Sequence, residues 1–123
     1  MQNNADKSTP VGSLRISQDV IATIAASTTT EVEGVASLAA FTANLTGWFI
    51  RKQTSKPIVI DLKDDVAVID IHVNLRYGAR IPEVAQDIQR SVKEAVQNMT
   101  GVAVTKVNVY IAGIVFDTFV PQN

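Results

Sequence analysis

Residues 81–109, IPEVAQDIQRSVKEAVQNMTGVAVTKVNV, contain a helix, a glycine stop and a strand in succession, and their reading decides the fold. Ile81, Val84, Ala85, Ile88, Val92, Ala95, Val96 and Met99 recur at steps of three and four, which predicts one apolar stripe along one helical face. Glu83, Gln86, Asp87, Gln89, Arg90, Lys93, Glu94 and Gln97 take the opposite face and suit water. Pro82 fits the first turn, where its missing N–H costs nothing, and Glu83 sits at the positive end of the helix dipole. Gly101 is placed to take the left-handed conformation past the last turn, with Val102 folding back on Val96 in a Schellman ending. Val107, Val109 and Ile111 then alternate with Lys106, Asn108 and Tyr110, the period of a half-buried strand. So wide a stripe requires a sheet to cover.

The remaining chain supplies that sheet. Ile58, Ile60 and Leu62 alternate with Val59 and Asp61, Lys63-Asp64-Asp65 reads as a tight turn, and the pattern resumes at once. The next strand is the longest. It has Ala67, Ile69, Ile71, Val73, Leu75 and Tyr77 on one face and Val66, Val68, Asp70, His72, Asn74 and Arg76 on the other. Upstream, residues 12–16 read as a short strand with Leu14 and Ile16 facing one way. Ser17 caps a first helix striped by Val20, Ile21, Ile24, Ala25 and Thr28. The hydroxyl-rich run 27–30 predicts a ragged end before Gly34, with a brief strand at 35–38 beyond it. Arg15-Ile16-Ser17, a helix and Gly34-Val35 are echoed by Arg80-Ile81-Pro82, a helix and Gly101-Val102, a weak two-fold repeat. The fold class that follows is α+β, a small mixed β-sheet with two main helices packed on one face.

Composition narrows function. The chain of 123 residues suits one domain, 12–120, behind a flexible tail over 1–11. A net charge of −1 argues against a nucleic-acid partner. Zero cysteines exclude disulfides, thiolate zinc sites and cysteine nucleophiles. No stretch reaches the roughly 20 apolar residues of a spanning helix, and the N-terminus lacks a signal-peptide core, so a cytoplasmic protein with no transmembrane segment of its own is expected.

Val73-Asn74-Leu75-Arg76-Tyr77-Gly78, the helix running into Met99-Thr100-Gly101, and Val107-Asn108-Val109 resemble the alkaline shock protein family of Gram-positive bacteria, the envelope stress response proteins. Gly12-Ser13-Leu14-Arg15-Ile16-Ser17 and Glu33-Gly34-Val35 fit the same order, so the resemblance covers residues 12–117 apart from 36–56. It implies a small cytoplasmic, non-enzymatic α+β domain. It also implies a role in envelope homeostasis beneath the membrane, tethered by a membrane-anchored protein partner. No catalytic motif is carried over.

The residues themselves agree on chemistry. There is one histidine, His72, on a strand face with Asp70, Asn74 and Arg76, which reads as a solvated sheet face more readily than as a metal or general-base site. Asp64 and Asp65 read as turn residues. Serine-nucleophile and phosphate-loop motifs are missing, so no catalytic residue, cofactor or metal is assigned. Residues 38–56 are ambiguous. Leu38, Phe41, Leu45, Trp48 and Phe49 fall at helical spacing, and no acidic residue occurs between Glu33 and Asp61. Trp48, Phe49, Arg51, Lys52 and Lys56 either cap the sheet as a third helix or meet a protein groove or anionic surface. Ile114, Val115, Phe116, Phe119 and Val120 are too apolar for a free end and predict docking against their own domain or a second copy, with self-association at high concentration. The expected function is an interaction or scaffold protein of the cytoplasmic side of the envelope, peripheral to the membrane through its partner. The alternative is a ligand-binding or regulatory accessory of a metabolic enzyme, as in lipid synthesis, which requires a pocket lined by Asp70, His72, Asn108 and Tyr110.

Overall fold

A computed structural model describes residues 11–39 and 56–116 of the chain; most of the expected tail, over 1–10, lies outside them. In chain order these form α1 (Gln18–Thr30), β1 (Val35–Leu38), β2 (Ile58–Lys63), β3 (Val66–Arg76), α2 (Ile81–Thr100) and β4 (Ala103–Val115). Among the described residues the strands make one mixed sheet organised on β3. One edge of β3 is shared end to end by two antiparallel partners, β2 along residues 66–71 and β1 along 73–75. The other edge carries β4, parallel to β3, with α2 as the crossover. The α+β reading with both helices over one face holds. α1 packs on α2, β1 and β2, and α2 packs on β4.

The hairpin between β2 and β3 pairs Lys63 with Val66. It turns on Asp64 and Asp65 alone, both at positive φ (53° and 65°), as a two-residue type I′ turn requires. On the helix side of β3, Ala67, Ile69, Ile71, Val73 and Leu75 are fully buried. They meet Val84, Ile88, Val92 and Val96 of α2 and Ile21 and Ala25 of α1 in one core. A fully buried side chain of this kind contributes about 1.5–3 kcal/mol, so the four α2 residues together rival the whole net stability of a small domain.

The structure corrects several expectations. Residues 11–17 form no strand; Leu14 is 80% exposed and Ile16 alone packs against the core. Both edges of β3 are taken, and Gly12 and Ser13 favour no ladder, so the two-fold echo lacks its first strand. The α2 stripe narrows at its ends, where Ile81 and Met99 lie exposed. On α1, Val20 is exposed and Thr29, not Thr28, is buried. Tyr77 lies beyond β3 and is 69% exposed. β4 is not one uninterrupted alternation. Extra residues at Thr105 and Ala112 shift its register against β3, so Val104 and the set Val107, Val109 and Ile111 all face the core.

Two glycines fix the junctions. Gly101 (φ 79°) ends α2 with its N–H on the Gln97 carbonyl, the single-bond left-handed ending and not the Schellman form, because the Val102 N–H is taken by Thr100 Oγ1. Val102 is nonetheless buried in the core with Val96, as its position implied. Gly34 (φ 98°) brings the start of β1 against α2, and a Cβ there would lie 2.8 Å from Val84 Cγ2. Replacing Gly34 with Ala is therefore expected to cost roughly 2–4 kcal/mol in urea melts, from left-handed strain plus overpacking. Ile88→Ala, at a fully buried position, should cost roughly 2–5 kcal/mol in the same measurement. A loss below about 0.5 kcal/mol would mean that the stripe does not form the core.

Candidate interaction surface

The sheet face turned away from the helices is built by the alternation of β3. Because the core claims the odd-numbered residues 67–75, the even-numbered ones project to the other side. Register places Asn108 beside Asp70 and Tyr110 beside His72. Asn108 Nδ2 donates to Asp70 Oδ1 at 2.8 Å, and the Tyr110 ring stacks on His72 with centroids 4.8 Å apart. One position on, Asn74 Nδ2 donates to Ser37 Oγ at 3.2 Å. These side chains pair laterally along the sheet and form a row of neighbours across a half-exposed face.

His72 also marks where two strands meet. Its N–H donates to the Pro57 carbonyl at 2.8 Å, and its own carbonyl accepts from the Ala39 N–H at 2.9 Å. Nδ1 lies 3.2 Å from the same Pro57 oxygen, which can only accept, so Nδ1 carries the proton. Ala39 and Pro57, which flank the intervening chain, therefore both bond to one residue of β3. Trp48, Phe49, Arg51 and Lys52 lie outside the described residues, as does Phe119. Lys56 is exposed and borders a groove with Asp19, Ala22, Thr23, Ala26, Pro57 and Ile58. Phe116, 61% exposed, stacks on Tyr77 with centroids 4.6 Å apart, and the Tyr77 N–H donates to the Val115 carbonyl. Lys56 and Phe116 thus sit beside the C-terminal half of β3 but at opposite edges, and the structure does not join them.

Two residues that the sequence assigned to water do other work. Gln97 Oε1 accepts from the Val104 N–H at 2.9 Å, and Gln89 Nε2 donates to the Val107 carbonyl at 3.2 Å. Both reach from α2 to the outer side of β4, where among the described residues no strand pairs. An open strand edge invites other chains, and these glutamines occupy part of it. Periodicity cannot reveal this, because a glutamine at the border of an apolar stripe reads as ordinary helix surface; the spacing of 89 and 97, two turns apart on one side, was the available signal.

Against known sequences, a profile of the alkaline shock protein family, described by its cell envelope-related function, matches residues 6–116. The chain is 33% identical over 111 residues to the uncharacterized protein YqhY of Bacillus subtilis, covering 89% of this chain and 82% of that one. It is 36% identical over 106 residues to the uncharacterized protein Spy1535 of Streptococcus pyogenes, covering 85% and 81%. Among solved structures, a MamM-CTD variant superposes with a TM-score of 0.50 at 11% identity, over 79% of this chain and 99% of its own, a likeness of fold alone.

Gln97→Ala is expected to lower stability by about 1 kcal/mol, the usual net worth of one hydrogen bond. The check is amide exchange, which should rise more at Val104 than at Ile71, where it rises only with the loss of global stability.

Proposed function

The chain belongs to the alkaline shock protein family, whose function is cell envelope-related, and from that premise we propose that it is a non-catalytic interaction or scaffold protein on the cytoplasmic side of the envelope. No helix among the described residues is long and apolar enough to cross a membrane, so in this reading a membrane-anchored protein partner holds it there. The observation that carries the reading is the sheet face turned from the helices, with paired polar side chains and the half-exposed Tyr110 on it, together with the exposed Tyr77–Phe116 stack just beyond the ends of β3 and β4. A polar, wet centre with aromatic anchors is the composition of a protein contact. Trp48, Phe49, Arg51, Lys52 and Lys56, which fall in sequence between Ala39 and Pro57, and Phe116 with Phe119 beyond β4, are its proposed contacts. Self-association belongs to the same reading. The alternative ligand-binding role loses support from the lateral pairing along this face, where Asn108 donates to Asp70 and Tyr110 stacks over His72.

The test is affinity capture from separated membrane and soluble fractions. A membrane protein is expected to be recovered by the wild type and depleted for the Trp48→Ala/Phe49→Ala variant, with the thermal melt unchanged. Recovery of the same proteins by both forms would overturn the assignment of that contact. Recovery solely of soluble metabolic enzymes would overturn the envelope reading.

A further inference from the structure

We propose that two copies of this chain pair antiparallel through the outer edge of β4, about a two-fold axis at Tyr110. The proposal deepens the interaction reading, on which it rests, by naming a second copy as one partner and the edge as the site.

The direction of each backbone group along β4 follows from the glutamine contacts. The Val107 carbonyl is held by Gln89 from α2, so it points away from β3. Along a strand the N–H and C=O of alternate residues share a side, and no bulge intervenes between Thr105 and Ala112. Val109 and Ile111 therefore direct their N–H and C=O groups outward as Val107 does. Past the Ala112 bulge the phase changes, and the Val115 carbonyl accepts from Tyr77 on the inner side.

The glutamine cover stops short of this pair. A strand advances about 3.3 Å per residue and a helix about 1.5 Å, so moving two residues along β4 corresponds to about four along α2. Four residues before Gln89 stands Ala85, which has nothing to offer a backbone group. Among the described residues no side chain bonds the outward groups of Val109 and Ile111. The uncovered edge is thus bounded by the Gln89 cap on one side and the Ala112 bulge on the other, with Tyr110 at its centre.

That stretch is its own complement. In an antiparallel pair centred on Tyr110, Val109 of each copy meets Ile111 of the other, and every outward N–H and C=O of the two residues finds a partner. Tyr110 faces Tyr110 of the second copy at a non-hydrogen-bonded position, where side chains approach most closely. Each ring is 48% exposed and already seated on His72, so little freedom is lost on pairing. Charge permits the approach. Over this edge α2 presents Gln97, Lys93, Gln89 and Ala85, and the two-fold axis keeps the Lys93 ammonium groups about two helical turns to either side.

The chain has no cysteine, so Tyr110→Cys introduces a single thiol. Facing Cα atoms about 4.5 Å apart lie within reach of a disulfide. Mild oxidation is expected to link Tyr110→Cys into dimers faster than Val59→Cys, a control on the same face but on β2. Sedimentation equilibrium of the wild type should show a monomer–dimer equilibrium. Tyr110→Lys, which sets like charges across the axis at a surface position, should weaken it roughly tenfold with an unchanged circular-dichroism spectrum. A monomer mass throughout, a dimer unaffected by Tyr110→Lys, or linking no faster than for Val59→Cys would each overturn the proposal. A monomer whose capture of a membrane protein is lost in Tyr110→Lys would also overturn it, assigning the edge to a partner's strand. Sedimentation uses the purified chain alone, so its failure leaves the envelope partner standing, and failed capture leaves the pairing standing.

Discussion

The burial of one face of β3 is the constraint on which the rest of the structure depends. Five successive core-side residues, Ala67 to Leu75 at alternate positions, are without solvent contact, and both edges of the strand are hydrogen-bonded. A strand held this way has one admissible register, because a slip of one residue would turn Asp70, His72 and Asn74 into the core. Each neighbour is then fixed in turn. β2 is tied by a two-residue turn, β4 by the α2 crossover, and β1 by filling the part of the edge that β2 leaves. The polar row on the open face is the other side of the same alternation. It pairs within itself because the register that buries Ile69 and Ile71 also sets Asp70 beside Asn108 and His72 beside Tyr110.

Much of this was legible where a residue's role depends on its immediate neighbours. Val84, Ile88, Val92 and Val96 declare their face by spacing, Gly101 its left-handed turn, and Asp64-Asp65 their hairpin. Legibility failed where tertiary position decides. Ile81 and Met99 continue the stripe in sequence, yet at the two ends of the helix they stand exposed. Leu14 and Ile16 alternate as a strand would, but alternation alone does not bring residues 11–17 to a sheet edge, and Leu14 stands exposed. The bulges at Thr105 and Ala112 leave no compositional mark, and without them the phase of β4 cannot be followed to its end. The family signal in Glu33-Gly34-Val35 does have a physical root, since Gly34 alone lets the chain pass Val84 at that distance.

The contact residues proposed from the sequence are those conspicuous in composition, the aromatics and cations of 48–56 and the apolar end of β4. Sequence reasoning missed Gln89 and Gln97, because a glutamine at the border of an apolar stripe reads as ordinary helix surface. Nor did it single out Thr29. That hydroxyl is buried with no hydrogen-bond partner among the described residues, a cost a valine of similar shape avoids.

The edge of β4 shows how local geometry divides protection from availability. A parallel pair built on a crossover helix places that helix over the last strand, so its side chains can reach round to the exposed ladder. The reach is set by the mismatch between strand and helix rise, which lets a glutamine every two turns answer a backbone group roughly every three or four strand residues. At Val104 and Val107 that match is met. One turn further on, Val84 is buried against Gly34 and Ala85 beside it is half-buried. Ala85, one turn before Gln89, is too short to bring a cap to the strand below it. What results is a short, regular and uncovered segment of backbone with the half-exposed Tyr110 at its centre.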